Sequence, residues 1–107
     1  MFTGVLGKAM FTGYSGKATL ATDDVEVSVD VALGMGGPWW GGRWWGGEFW
    51  APAEARRDLE AIYLGVPVTL LLIDGREAKV HIHELQVDAS TGHVSGDLAG
   101  AGPPPGA

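Results

Sequence analysis

Val25-Glu26-Val27-Ser28-Val29-Asp30-Val31-Ala32-Leu33 is the stretch on which the fold turns. Its odd positions are aliphatic and its even positions small or charged, the period of two that a β-strand shows when one face is buried and the other meets water. Upstream, Lys17 to Thr22 alternates in the same way, with Ala18 and Leu20 on one face, and Asp23-Asp24 supplies a turn between the two runs. So short a connection makes the pair an antiparallel hairpin.

Downstream, Gly34-Met35-Gly36-Gly37-Pro38 interrupts the alternation, and Trp39-Trp40-Gly41-Gly42-Arg43-Trp44-Trp45-Gly46-Gly47-Glu48-Phe49-Trp50 follows, holding all five tryptophans of the chain. A strand from Trp44 to Trp50 puts Trp45, Gly47 and Phe49 on one face and Trp44, Gly46, Glu48 and Trp50 on the other. Aromatics therefore fall on both faces, and at most one face can belong to the core. The other calls for a covering element or a partner.

Pro52 suits the first residue of a helix reaching Tyr63, with Ala55, Leu59 and Ile62 on one face and Gly65 as a stop. Val66 to Asp74 reads as a buried strand with Val68, Leu70 and Leu72 inward, and Leu71 and Ile73 on a face that the helix covers. Asp74-Gly75 is a hairpin turn, and the return strand carries Ala78, Val80 and Ile82 inward. Beyond it Leu85 and Val87 change phase, which predicts a β-bulge near His83-Glu84. Asp88 to Gly92 is a turn and His93 to Leu98 a last strand. The expected fold is mostly β: a small antiparallel β-barrel or two-layer roll of about six strands with one α-helix.

With 107 residues the chain fits a single domain, and its 18 glycines and 6 prolines suit the many turns of a β fold. Residues 14–99 are expected to form that domain, residues 1–13 an N-terminal arm, and residues 100–107 a loose Gly/Pro-rich tail that could also cap a strand or dock in a groove. The net charge of -6 and the scattered lysines and arginines disfavour nucleic acid as a partner. There is no cysteine for a disulfide or thiolate site. The longest apolar run, Val66 to Ile73, contains Pro67 and is too short to span a bilayer, and no signal peptide is evident. A cytoplasmic protein is expected, or a virion one if a phage encodes it.

Met1-Phe2-Thr3-Gly4-Val5-Leu6-Gly7-Lys8-Ala9 is repeated as Met10-Phe11-Thr12-Gly13-Tyr14-Ser15-Gly16-Lys17-Ala18, with seven of nine positions identical. The repeat is either a duplicated strand or arm that pairs with a neighbour, or an inherited duplication upstream of an original start at Met10. Neither Gly-Lys pair has the spacing of a phosphate loop.

Candidates for chemistry are few. His81 and His83 share a strand face and could hold a metal with Glu77 or His93, but a solvated face explains them equally, and no metal or cofactor is expected. Ser15, Ser28, Ser90 and Ser95 lie in no nucleophile motif, so no catalytic residue is assigned. The tryptophans admit three readings: core, protein-protein interface, or a stacking platform for a flat ligand. The interaction candidates are Trp39, Trp40, Arg43, Trp44, Trp50, Phe2 and Phe11, with Arg43 placed to stack on its Trp neighbours or anchor an acidic partner.

The series Tyr14-Ser15-Gly16-Lys17-Ala18-Thr19-Leu20, Val25-Glu26-Val27, Gly42-Arg43-Trp44-Trp45-Gly46-Gly47-Glu48-Phe49, Gly65-Val66-Pro67-Val68, and Val94-Ser95-Gly96 with Gly102-Pro103-Pro104 resembles a small actinobacterial domain family of unknown function. Members of that family occur alone, appended to some flavin monooxygenases, and as small actinophage proteins. The resemblance runs from Tyr14 to Pro105; the doubled N-terminus and the doubled Trp-Trp-Gly-Gly unit depart from it. It implies a compact β-barrel or sandwich, no catalytic residues and, without the oxygenase portion, no flavin site. The expected function is a non-enzymatic protein-protein interaction or self-assembling module, with a second copy or a host or virion protein as partner. The alternative is a β-barrel that binds a small ligand in a Trp-rich pocket.

Overall fold

A computed structural model describes residues 13–35, 45–62 and 67–106. Six strands, β1 (Gly13–Ala21), β2 (Glu26–Met35), β3 (Trp45–Ala51), β4 (Val68–Leu72), β5 (Glu77–Val87) and β6 (Val94–Gly100), close into a barrel in the order β1-β2-β3-β6-β5-β4. Every neighbouring pair is antiparallel. The architecture is thus two three-stranded meanders, β1-β2-β3 and β4-β5-β6, joined along two seams, β3 with β6 and β1 with β4. Closure leaves few unpaired strand edges.

The alternation read from β2 holds: Val27, Val29, Val31 and Leu33 are buried in the core, with Ala18 and Leu20 of β1 and Val68, Leu70 and Leu72 of β4. Trp45 and Phe49 of β3 point into the same core. The strands are longer than the sequence pattern suggests at one end of the barrel. β1 begins at Gly13 rather than Lys17, and β2 continues through Gly34 and Met35, where a break was expected. Ladders on both sides hold it there, Gly34 opposite Gly13 on β1 and Gly46 on β3, and paired backbone outweighs the weak strand preference of glycine. β6 runs to Gly100, and β4 is shorter than the predicted 66–74.

The phase change in β5 is a register shift between Ile82 and Glu84: Ile82 pairs with Leu98, and Glu84 with Asp97. The expected bulge is therefore where the hydrophobic pattern slips. Its location matters because Gly96, opposite Leu85, approaches the bulge so closely that a Cβ there would clash with the Glu84 carbonyl oxygen and lie 2.7 Å from the Phe49 ring. Gly100 plays the matching part four residues on, since a Cβ there would fall inside the Trp45 indole. Phe49 is paired with Gly96 across the β3–β6 seam, and Trp45 lies over Gly100 in the continuing register. Two large rings on one strand fill the space vacated by two glycines on the next, an arrangement that pins register.

The α-helix starts later than predicted, while its expected end at Tyr63 and stop at Gly65 lie outside the described residues. Pro52 precedes a 3-10 turn, Ala53–Ala55, and the α-helix, α1, is Arg56–Ile62. Its apolar face is the expected one, with Leu59 and Ile62 buried in the core. It does not cover the outer face of β4: Ile73 is 76% exposed and Leu71 half-buried. A helix that follows Ala51 and precedes Val68 lies at the end of the barrel holding the β1–β2 and β5–β6 turns, and from there it inserts side chains inward. Contact between the 3-10 turn and the β5–β6 turn, where a Cβ on Gly92 would lie 3.1 Å from that of Ala53, fixes this placement.

The opposite end is closed by the C-terminal segment, which is packed rather than loose. The Ala101 amide donates to the Lys79 carbonyl, extending the β5–β6 pairing, and Pro105 is buried. The Trp45 Nε1–H donates to the Gly102 carbonyl at 2.7 Å. That bond gives the buried indole the partner it needs and ties residue 102 to the start of β3. Arg76, in the β4–β5 hairpin, lies over the Tyr14 ring at 6.0 Å from its centroid and against Gly106, so hairpin, first strand and tail meet.

The turns are built as their residues suggest. Thr22 Oγ1 accepts from the amides of Asp24 and Val25. Asp88 accepts from the Ser90 amide, the Ser90 hydroxyl and the Thr91 amide, and these bonds hold its carboxyl down at about 2 against an ordinary 3.8. Asp74 is lowered in the same manner by Arg76, whose guanidinium and amide both donate to it.

Two expectations follow. Gly100→Ala should lower stability by about 1–3 kcal/mol in urea unfolding and weaken the near-ultraviolet circular dichroism of Trp45, and Trp45→Leu in the same chain should relieve part of that loss. Because the ionised form of Asp88 accepts the turn's hydrogen bonds, its stabilisation is complete above about pH 4, declines below 3.8 and is gone near 2. The stability gap between wild type and Asp88→Ala should therefore shrink as the pH is lowered across that window.

Candidate functional site

Of the residues singled out as interaction candidates, Phe2, Phe11, Trp39, Trp40, Arg43 and Trp44 lie outside the described residues. Gly13, Met35 and Trp45, the described residues next to those segments, stand at one end of the barrel, at adjacent strand ends. Within the described part of the Trp/Gly segment, β3 separates its two aromatic faces as alternation requires. Trp45, Phe49 and Ala51 are buried, while Trp50 faces outward and is 45% exposed.

Strand register defines what surrounds Trp50. Across the outer surface one row reads Lys17, Asp30, Trp50, Ser95, Gln86. The next row reads Ser15, Ala32, Glu48, Asp97, Glu84. Three carboxylates, on β3, β6 and β5, therefore stand side by side, with Glu48 also two residues from Trp50 on the same strand. Directly opposed like charges destabilise a sheet. β3 and β6 contain no lysine or arginine, and the only described ion pair on this side is Lys17 with Asp30 at 3.1 Å. That bridge is exposed at both ends and contributes little.

Trp45, Phe49, Leu20, Leu59, Leu70 and Leu98 are fully buried in a continuous core, and among the described residues every buried side chain is apolar. Small barrels are filled in this way by their own side chains. Two of the hollows bordered by described residues lie outside the barrel wall. One of about 520 Å³ is bordered by Thr22, Asp23, Thr69, Glu77 and Lys79. The other, of about 400 Å³, lies between Lys17, Ser28 and Ile73. Both are open to solvent.

The histidine pair is separated by the bulge: His81 stands opposite Ala99, whereas His83 falls in the shift between Ile82 and Glu84. His93 adjoins the far end of the β5–β6 hairpin. Among the described residues no three His, Asp or Glu side chains are grouped to hold a metal ion. Asp23 and Asp24 are exposed in the β1–β2 turn, as turn chemistry alone requires.

Glu84 and Asp97 are the site residues that sequence patterning missed. Alternation puts Glu48 on the outside beside Trp50, but its neighbours come from strands distant in sequence. Asp97 aligns with it through the β3–β6 register, and Glu84 joins the row only because the bulge shifts β5 by one residue. No protein-family model matches the chain, and neither does any curated protein or solved structure. Among the described residues no helix is long and apolar enough to cross a membrane.

The two tryptophans of β3 should respond very differently to truncation. Trp45→Ala should destabilise by about 3–5 kcal/mol, whereas Trp50→Ala should fall within about 0.5 kcal/mol of wild type, as read from urea unfolding midpoints.

Proposed function

We propose that the chain is a non-enzymatic interaction module that docks a protein partner on the outer face of β2, β3, β6 and β5. The observation that carries this reading is Trp50, a large ring left exposed beside a row of carboxylates that have no ion-pair partner among the described residues. An aromatic face next to negative charge is a receptor for guanidinium or ammonium groups, which stack on the ring while pairing with the acids. The partner is accordingly a Lys/Arg-rich segment of another protein. A second copy, itself at net charge -6, would bring repulsion to this face.

Further support comes from what the rest of the barrel does. Its described core is a continuous set of buried apolar side chains, whereas Trp39, Trp40 and Trp44, on which the small-ligand alternative depends, lie outside the described residues. No polar side chain is buried there in readiness for chemistry. The resemblance to actinobacterial and actinophage domains adds a context, a small accessory protein acting on a host or virion component, and the barrel fold is compatible with it.

A short Arg-rich peptide is the direct probe. It should shift the tryptophan fluorescence of the wild type with an affinity that falls as salt rises. Trp50→Ala, and separately the combined Glu48→Gln, Glu84→Gln and Asp97→Asn, should weaken binding at least about tenfold, roughly the value of one exposed cation–π contact plus its charge pairs. The charge variant relieves repulsion and should unfold no earlier than wild type, so weaker binding there is not a folding defect. Equal affinity for wild type and both variants would reject this surface as the docking site.

A further inference from the structure

The N-terminal repeat becomes informative once the geometry of β1 is known. Residues 4–12, Gly-Val-Leu-Gly-Lys-Ala-Met-Phe-Thr, align without a gap on Gly13–Ala21, Gly-Tyr-Ser-Gly-Lys-Ala-Thr-Leu-Ala. The positions kept identical include those the barrel uses. Gly13 and Gly16 have positive φ, +154° and +143°, and a Cβ on Gly13 would stand 2.9 Å from the Leu33 carbonyl oxygen; the repeat supplies Gly4 and Gly7 at these places. Lys17 pairs with Asp30, and Lys8 matches it. Ala18 is buried opposite Val29 and Leu72, and Ala9 matches it.

Where the two copies differ, the pattern still fits. The inward positions of β1 are Tyr14, Gly16, Ala18 and Leu20, and the aligned residues are Val5, Gly7, Ala9 and Phe11, all apolar or glycine. The match extends past the duplicated nine residues, because Phe11 falls on Leu20, the fully buried residue of the strand.

We propose that residues 4–12 are a spare first strand, able to take the place of Gly13–Ala21 between β2 and β4 of the same chain. The shift is by nine residues, and residues 13–25 then become the connection to β2. Lengthening a connection in this way raises its closure entropy only slowly, and tethering keeps the spare strand at a high effective concentration. The strand observed in the slot is the better fit for three reasons. Leu20 fills its site without the extra volume of Phe11. Tyr14 donates to the Lys17 carbonyl at 2.6 Å and meets Arg76, which Val5 cannot do. Thr22 caps the tight turn that the shift would open. The spare register is thus a minor state, in which the slot between β2 and β4 is filled from nine residues earlier in the chain. This inference is independent of the docking face, which involves none of residues 4–12.

The test uses three full-length variants. Leu20→Asp puts a carboxylate in the core and should drive the chain into the spare register, with a lowered but still cooperative melting transition. Phe11→Asp alone should melt as wild type. Leu20→Asp combined with Phe11→Asp spoils both strands and should melt at least roughly 10 °C below Leu20→Asp. Hydrogen exchange should show amide protection moving from residues 13–21 to residues 4–12 in Leu20→Asp. The proposal is overturned if Leu20→Asp unfolds outright, if Phe11→Asp makes no difference to it, or if protection stays on residues 13–21. A rescue that grows with protein concentration would also overturn it, in favour of exchange between chains.

Discussion

The β3–β6 seam is the contact on which the barrel depends. Each meander could form from local hairpins, but neither has a buried second face until the two are joined, and one of the joining seams places Trp45 and Phe49 over Gly100 and Gly96. Large rings opposite glycines admit one alignment: a slip of one residue would turn both rings outward and bring side chains against backbone. The other seam, β1 with β4, has only four paired positions. Packing at the two ends of the barrel adds to this, with Leu59 and Ile62 of α1 in the core at one and the segment after β6 at the other.

That division explains why Trp45 and Trp50 have different fates. Trp45 lies at an end of the barrel, where its ring completes the core and its N–H finds the Gly102 carbonyl. Trp50 is near the other end of the same strand and in the opposite phase. Nothing in the fold asks for a tryptophan there; a small polar residue would serve the outer surface as well. Residues that folding does not require, at positions that cost stability or solubility, are where function is most sensibly sought. Glu48, Asp97 and Glu84 add to the same argument, since a sheet selected for stability alone would set cations among them.

The duplicated N-terminus belongs to another layer of the problem. The spare strand proposed above would give the chain two ways to complete one barrel, the better packed of them being the one observed. Closed barrels are suited to such substitution, because each strand slot is bounded on both sides by a paired strand.

Much of the fold was legible in the sequence. Alternation in Val25–Leu33, the Asp74-Gly75 turn, the apolar face of Arg56–Ile62 and the phase slip at His83-Glu84 are local signals, each settled by residues within a few positions of one another. So was the outward placement of Trp50, by parity with Trp45 and Phe49. Local patterning could not show that the strands close into a barrel rather than a two-layer roll, because that depends on β3 meeting β6 and β1 meeting β4 across long stretches of chain. Nor could it show that Gly34-Met35 stays in the ladder, that the helix plugs an end instead of covering Ile73, or that the Gly/Pro tail docks on Trp45. In each case a segment with weak preferences of its own is held by partners remote in sequence. The acidic row beside Trp50 has the same origin: its members are fixed one by one by the sequence, and only strand register makes them neighbours.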